Sequence, residues 1–170
     1  MNPVIRKMTV DDIPAVVELD KMSFSLPWPE RSFRFELTDN PASRCWVAEM
    51  DGGILGMIVV WLFVAEAHVA TLATHPNFRR QGIGKRLLSH ALQHLSNAGA
   101  QSSFLEVRAS NIAAQEMYRK FGYKESGHRR HYYKDNDEDA ILMHLDSLKV
   151  ERFMPAIGLS TLDKEEQNER

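Results

Sequence analysis

Two spacings of apolar residues alternate along the chain, one near 3.6 residues and one near two. Val4 to Met8 is a short β-leaning run. Thr9 and Asp12 then supply a T-x-x-D helix start. Ile13, Val16, Val17 and Leu19 follow on one helical face, with Pro14 close to the helix entry, where proline is tolerated. Two prolines in FSLPWPERSF interrupt this helix, and a second is predicted from Pro29 to Thr38 with Phe33 and Leu37 on one face. Arg44 to Met50 reads as a strand, Asp51-Gly52-Gly53 as a hairpin turn, and Ile54 to Val64 as a long β-rich run. Glu66-Ala67 is read as a break before a further strand, His68 to Thr74. Ile83, Leu87, Leu88, Ala91, Leu92 and Leu95 recur at helical spacing, and Asn97-Ala98-Gly99 supplies the stop. Phe104 to Val107 is a short strand, and Asn111 to Phe121 is a helix stopped by Gly122. Tyr123 to Ser126, His128 to Tyr133 and Ala140 to Leu145 are strand segments around the polar turn KDNDED.

The order is strand, two helices, three strands, helix, strand, helix and final strands. The hairpins in the middle argue against a doubly wound parallel sheet and for an α/β fold with a sheet of mixed direction. Periodicity fades after residue 145, so the chain divides into a domain over 1–145 and a C-terminal extension over 146–170. The closing DKEEQNER has the composition of a disordered tail. Phe153, Met154 and Ile157 give that extension an apolar element able to touch a partner.

A length of 170 residues suits one domain, and 44 % hydrophobic with 26 % charged residues places it among globular proteins. A net charge of −2 gives no reason to expect a nucleic-acid binder, and Arg79-Arg80 and Arg129-Arg130 are small basic clusters. The single cysteine, Cys45, cannot form an internal disulfide and sits in the apolar run RCWVAEM as an inert thiol. Seven histidines fall in no zinc pattern, so no metal is expected. The first residues show no apolar leader, and the longest apolar stretch, 54–65, is too short for a bilayer span. A cytoplasmic enzyme or binding domain without a membrane partner is the resulting expectation.

Candidate chemistry centres on HPNFRRQGIGKRLL, His75 to Leu88, where two glycines open the third helix directly after two arginines. A helix start with free N–H groups and positive charge suits an anion. The phosphate loop of nucleotide hydrolases needs G-x-x-x-x-G-K-[ST], which is absent here. The dinucleotide fingerprint needs a third glycine where Leu87 stands. What remains is R-x-x-G-x-G, built from Arg79, Gly82 and Gly84. In it the N–H groups of Gln81 to Lys85 can converge on a pyrophosphate. A tight turn that binds nothing is the competing explanation of the glycines alone.

LATHPNFRRQGIGKRLL resembles the acetyl-coenzyme A signature of the GNAT N-acetyltransferase superfamily. The resemblance runs from Val4 to about Leu145. FSLPWPERSF, LEVRASNIAAQEMYRKFGY and RRHYYKDNDEDAILM narrow it to the ribosomal-protein-alanine N-acetyltransferase branch. It implies a mostly antiparallel mixed sheet flanked by helices, with two splayed parallel central strands, His68–Thr74 and Phe104–Val107. It implies acetyl transfer from acetyl-CoA to the α-amine of a protein N-terminus, a ribosomal protein included. The backbone of Leu72, Ala73 and Thr74 would align the acetyl-pantetheine arm. Arg80, Gln81, Gly82, Ile83, Gly84 and Lys85 would cradle the pyrophosphate, and Asn111 would contact the cofactor besides capping its helix. Glu106 takes the place of the general base, with a pKa raised by its apolar neighbours Leu105 and Val107. A structural pairing with Arg108 or Lys124 is its other explanation, and Glu66 and His68 are secondary candidates. Tyr118 lies with Ala114, Met117 and Phe121 on a buried helical face. By resemblance it is the general acid; read alone it also fits a core tyrosine. Phe24, Trp28, Tyr132 and Tyr133 are candidates for the peptide-binding rim. A lysine or small-amine acceptor, or a non-catalytic CoA-binding sensor, are the alternative functions.

Overall fold

Thr9 and Asp12 start the first helix as their spacing predicts. The Thr9 N–H donates to Asp12 Oδ2 at 2.8 Å, and Arg6 binds both oxygens of the same carboxylate at 2.8 Å. The Arg6 hydrogen bonds hold the Asp12 carboxyl below the usual carboxylate range against the opposing effect of burial. This corner turns strand β1 (Val4–Lys7) into helix α1 (Ile13–Ser23). The computed structural model describes residues 2–149. The remaining elements are α2 (Glu30–Thr38), β2 (Ser43–Met50), β3 (Gly53–Phe63), β4 (Glu66–Thr74), α3 (Ile83–Asn97), β5 (Ser102–Arg108), α4 (Ile112–Lys120), β6 (Lys124–Tyr133) and β7 (Glu138–Leu145).

The seven strands form one sheet in the order β1-β2-β3-β4-β5-β7-β6. Among the described residues β4 and β5 are its parallel pair, and the other neighbours run antiparallel. Alternate side chains of the central strands feed two cores, as a sheet covered on both faces requires. Met57 and Val59 of β3 pack with Ile13, Val16, Leu19 and Phe33 of α1 and α2. Ile58 and Val60 pack on the opposite face with Leu87, Leu88, Leu92 and Leu95 of α3. These four leucines are at most 1 % exposed, and each such burial contributes about 1.5–3 kcal/mol. Helix α3 is therefore a rigid platform for whatever its first turn holds. Its height over the sheet is set at Gly56, where a Cβ would sit 2.9 Å from Leu87 Cδ1 and 3.0 Å from Ile83 Cγ2.

The functional opening arises between β4 and β5. Their ladder pairs Glu66 with Ser102, Ala67 with Ser103 and His68 with Phe104, and ends there. On the other side of β4, Val60 pairs with Val69 and Val59 with Thr71, which leaves Ala70 as an extra residue. A bulge of this kind bends its strand, and β4 leaves β5 at this level. The expected splayed pair is present.

Three local expectations change. Glu66 and Ala67 belong to β4, and the reversal falls at Val64-Ala65, because Glu66 and Ala67 have strand partners on both sides. The last pair of β-segments before the KDNDED turn is one strand, β6, whose register shifts at Glu125/Gly127 and Arg129/Tyr133 absorb the irregularity. Past Leu145 the chain stays bound to the domain as far as Leu148, which is buried. Its N–H donates to the Gln101 carbonyl and its carbonyl accepts from Ser96 Oγ, both at 2.9 Å. The rest of the extension, with Phe153, Met154 and Ile157, lies outside the described residues.

Candidate active site

A cavity of about 710 Å³ fills the V between β4 and β5. Its floor at the helix side is the loop from β4 into α3. Arg80 (φ 65°) and Gly82 (φ 82°) both take the left-handed conformation, and Gly82 is the N-cap of α3. Alternation of left-handed residues with ordinary ones turns successive N–H groups into one concavity, a nest for an anion. Arg79 braces the loop by donating from Nε to the Thr74 carbonyl at 3.3 Å. At Gly84 a Cβ would come 3.3 Å from Thr74 Oγ1, so glycine keeps the helix mouth close to the end of β4. Leu72, Thr74, Arg80, Gly82, Ile83, Gly84, Lys85 and Asn111 line the cavity. Ala73 does not, because its methyl is buried in the α1 core, and Gln81 is exposed outside the lining. For these two any ligand contact would be through the backbone. Asn111 Oδ1 accepts from the Ala114 N–H at 3.2 Å, the expected cap of α4.

The two candidate catalytic side chains reach the cavity from opposite faces of the sheet. In β5, Leu105 and Val107 are buried in the α3/α4 core, so Phe104, Glu106 and Arg108 point to the α1/α2 side. Tyr118 belongs to the α3/α4 core, with its ring 5.6 Å from Tyr123 in an edge-on contact. Glu106 and Tyr118 nevertheless line the same cavity. Burial, with a smaller contribution from Tyr133, raises the Tyr118 phenol pKa well above its ordinary value. This phenol keeps its proton at neutral pH and is available as a hydrogen-bond and proton donor inside the cavity.

Glu106 differs from the expectation of a raised pKa. Its Oε2 accepts from His68 Nε2 at 2.7 Å, and Oε1 lies 3.7 Å from Arg129 Nη2. The His68 hydrogen bond outweighs burial and holds the carboxyl below the usual range. His68 is itself fixed, stacked on Phe104 at 4.2 Å and edge-on to Trp61 at 5.0 Å. The anticipated alternative partners, Arg108 and Lys124, are not the groups that hold Glu106: Arg108 binds Asp135 and Glu138. Glu66 sits at the narrow end of the V, bonded from Ser102 at 3.3 Å and outside the cavity lining. Phe24, Trp28 and Tyr133 form part of the lining, whereas Tyr132 is 44 % exposed and lies beside Arg129.

Two residues of this face were not read as site residues from the sequence. Arg108 lines the cavity two residues beyond Glu106, and that period-two spacing was the available signal. Asp20 on α1 is fully buried, and its Oδ2 accepts from the Trp28 N–H at 2.6 Å while Oδ1 has no partner among the described residues. Desolvation pushes the Asp20 carboxyl up to about 6, with the Trp28 bond opposing. No group of three or more metal-ligating side chains occurs among the described residues, and no helix among them is long and apolar enough to cross a membrane.

The arrangement is thus an anion nest at a helix mouth, a slot through a sheet, a held carboxylate on one face and a protonated phenol on the other. Such a set can align an activated acyl group with a nucleophile arriving from the far side. Comparison with known proteins agrees with this. The model of the acetyltransferase (GNAT) family matches residues 13–123. A Bacillus subtilis (strain 168) protein, provisionally named a ribosomal protein bS18-alanine N-acetyltransferase, is 38 % identical over 139 residues, covering 82 % of this chain and 92 % of its own. The ribosomal protein bS18-alanine N-acetyltransferase of Escherichia coli (strain K12) is 32 % identical over 152 residues, covering 83 % and 95 %. The crystal structure of the ribosomal-protein-S18-alanine N-acetyltransferase from Escherichia coli superposes with a TM-score of 0.78 at 32 % identity, over 85 % of this chain and 93 % of that one.

Proposed function

This chain belongs to the GNAT acetyltransferase family, and from that membership we propose that it moves an acetyl group from acetyl-CoA to the α-amine at the N-terminus of a protein. One observation carries the reading: Glu106 and Tyr118 approach a single cavity from opposite faces of the sheet. Acid and base on opposite sides of one slot suit a reaction in which the leaving group departs on one side and the nucleophile arrives on the other.

The residues fit acetyl-CoA. The nest from Arg80 to Lys85 would take the pyrophosphate, with Gly82 and Gly84 leaving room for close approach. Beyond His68 the β5-facing edge of β4 has no strand partner among the described residues, so backbone groups around Leu72 to Thr74 are open to the acetyl-pantetheine arm. A fixed N–H there supports the developing oxyanion, which is a large catalytic contribution in acyl transfer. The cosubstrate supplies the thioester, and no metal enters the scheme.

Glu106 receives the amine's proton. A terminal α-amine has a pKa of about 7.7–8.0 against about 10.4 for lysine, so an appreciable fraction is neutral at working pH. An ionised carboxylate is then sufficient, because the nitrogen becomes acidic as its bond to the acyl carbon forms. His68 occupies Oε2 and leaves Oε1 as the oxygen with capacity for another donor. Tyr118 delivers its proton to the departing thiolate on the α3/α4 side. The net change is one N–C bond made and one C–S bond broken: the amine proton goes to Glu106, the Tyr118 proton goes to sulfur, and proton exchange with solvent returns both side chains to their starting states. Phe24, Trp28 and Tyr133 form the walls on the acceptor side.

The named relatives act on ribosomal protein bS18, which makes a ribosomal protein N-terminus the first acceptor to test, with the cytoplasm as the compartment. Purified protein incubated with acetyl-CoA and N-terminal peptides is expected to release free CoA thiol, with the acetyl group on the α-nitrogen by mass spectrometry. Transfer that persists at the same rate on peptides with blocked α-amines would reassign the acceptor to lysine. CoA binding without transfer to any amine would reassign the protein as a sensor.

A further inference from the structure

The acceptor-facing side of the cavity is crossed by side chains from three distant parts of the sequence. Arg108 Nη2 donates to both carboxylate oxygens of Asp135, at 3.1 and 3.0 Å, and lies 3.3 Å from Ser25 Oγ. Ser25 Oγ donates to Asp135 Oδ2 at 2.5 Å. Arg108 Nη1 reaches Glu138 at 3.3 Å and Asn136 at 3.2 Å, and the guanidinium lies 3.9 Å over the Tyr133 ring. The side chains of Arg108 and Asp135 are each 19 % exposed, so salt screens this pair less than a fully solvated one.

What these contacts join matters. Ser25 sits in the loop from α1 to α2, whose Phe24 and Trp28 wall the cavity. Asp135 sits in the turn from β6 to β7, two residues after Tyr133, which walls the cavity from the other side. Little apolar packing fixes the tip of the first loop, since Leu26 is 51 % exposed. Phe24 and Trp28 pack against the α1 core at its ends, and two polar anchors add to them: Asp20 accepting from the Trp28 N–H at the base, and the Ser25 contacts at the tip.

We propose that Arg108 is a positioning residue for the acceptor, tying the α1–α2 loop to the β6–β7 turn through Asp135 and Ser25 so that the acceptor meets a cleft of fixed width. The proposal rests on the acceptor entering from the α1/α2 face. With the tie in place the two walls are ordered before binding. Without it the ordering cost is taken out of acceptor affinity. Asp135 is outside the cavity lining, so its removal is expected to leave acetyl-CoA affinity unchanged.

Three variants test this: Asp135→Ala, Ser25→Ala, and the exchange Ser25→Asp with Asp135→Ser, which keeps a hydroxyl–carboxylate pair beside Arg108. Asp135→Ala is expected to raise the acceptor KM about tenfold and Ser25→Ala about threefold, with kcat changed no more than about twofold. The exchange is expected to restore most of the lost affinity, and acetyl-CoA binding by calorimetry stays at the wild-type value. Hydrogen exchange of residues 24–28 in the acetyl-CoA-loaded protein is expected to speed up in Asp135→Ala. An unchanged acceptor KM, or an equal loss of acetyl-CoA affinity, overturns the proposal. If the wild-type protein accepts no peptide, the acceptor assignment fails, and the tie is then judged on hydrogen exchange alone: unchanged protection of 24–28 overturns it.

Discussion

The two sides of the splayed sheet are built on different principles. The helix side, from Thr74 through Lys85, is made of backbone: left-handed Arg80 and Gly82, a glycine-opened helix mouth, and N–H groups whose directions follow from those dihedrals. The opposite side is made of side chains that meet only after folding, with Glu106 on His68, and Arg108 on Asp135 and Ser25. A backbone cradle suits a ligand that is the same in every turnover. A side-chain cleft can change its acceptor preference without disturbing the cradle. The difference should appear when each side is broken separately.

The largest effect is expected from Glu106→Gln, which keeps the shape and the contact to His68 but cannot take a proton. Its kcat should fall about 10²- to 10³-fold, while acetyl-CoA binding measured by calorimetry is retained. Loss of both together would show that the two sides are not separable.

Asp20 gives the next effect, on stability. Its pKa is about 6 in the folded protein against 3.8 for the free side chain. A raised carboxyl pKa contributes stability that is complete below about pH 4 and is lost as pH rises through about 6. The loss amounts to about 3 kcal/mol, from 1.36 kcal/mol per pKa unit. Denaturant titrations across this range should show that decline in the wild type and not in Asp20→Asn. Parallel curves would remove Asp20 from the account of the acceptor loop.

Tyr118→Phe should lower kcat about 10- to 100-fold with acceptor KM near the wild-type value, if the hydroxyl is the proposed proton donor to the leaving group. A raised acceptor KM would instead move this residue to the other side of the comparison. The smallest change should come from Gly82→Ala. No neighbour lies within 4 Å of the added methyl, so its cost is the left-handed conformation alone, about 1–2 kcal/mol. Calorimetry should find weaker acetyl-CoA binding, and kcat at saturation should stay close to wild type.

The same contrast explains what could be read from the chain before folding. Gly82 and Gly84 announce the cradle because a left-handed cap and a close approach demand glycine at those places. Tyr118 is legible because it shares a helical face with Ala114, Met117 and Phe121. The splayed strands and the flanking helices follow from periodicity together with the family resemblance. The direction of the Glu106 pKa shift was not legible. Its immediate neighbours are apolar, but the group that decides the shift, His68, is 38 positions away. The tie at Arg108 joins residues 27, 83 and 110 positions apart, and no local pattern encodes such a meeting. The start of β4 was misplaced for a related reason: Glu66 looks like a breaker until Ser102 and Phe63 pair with it.

The extra residue at Ala70 reaches further than bending its strand. Before it, the odd-numbered side chains Ala67 and Val69 belong to the α3/α4 core; after it, Ala73 belongs to the α1 core and Leu72 packs toward α3. One inserted position therefore turns β4 inside out halfway along its length. Deleting Ala70 would restore a uniform alternation with Leu72 and Ala73 kept in their present layers, and would remove the bend that parts β4 from β5.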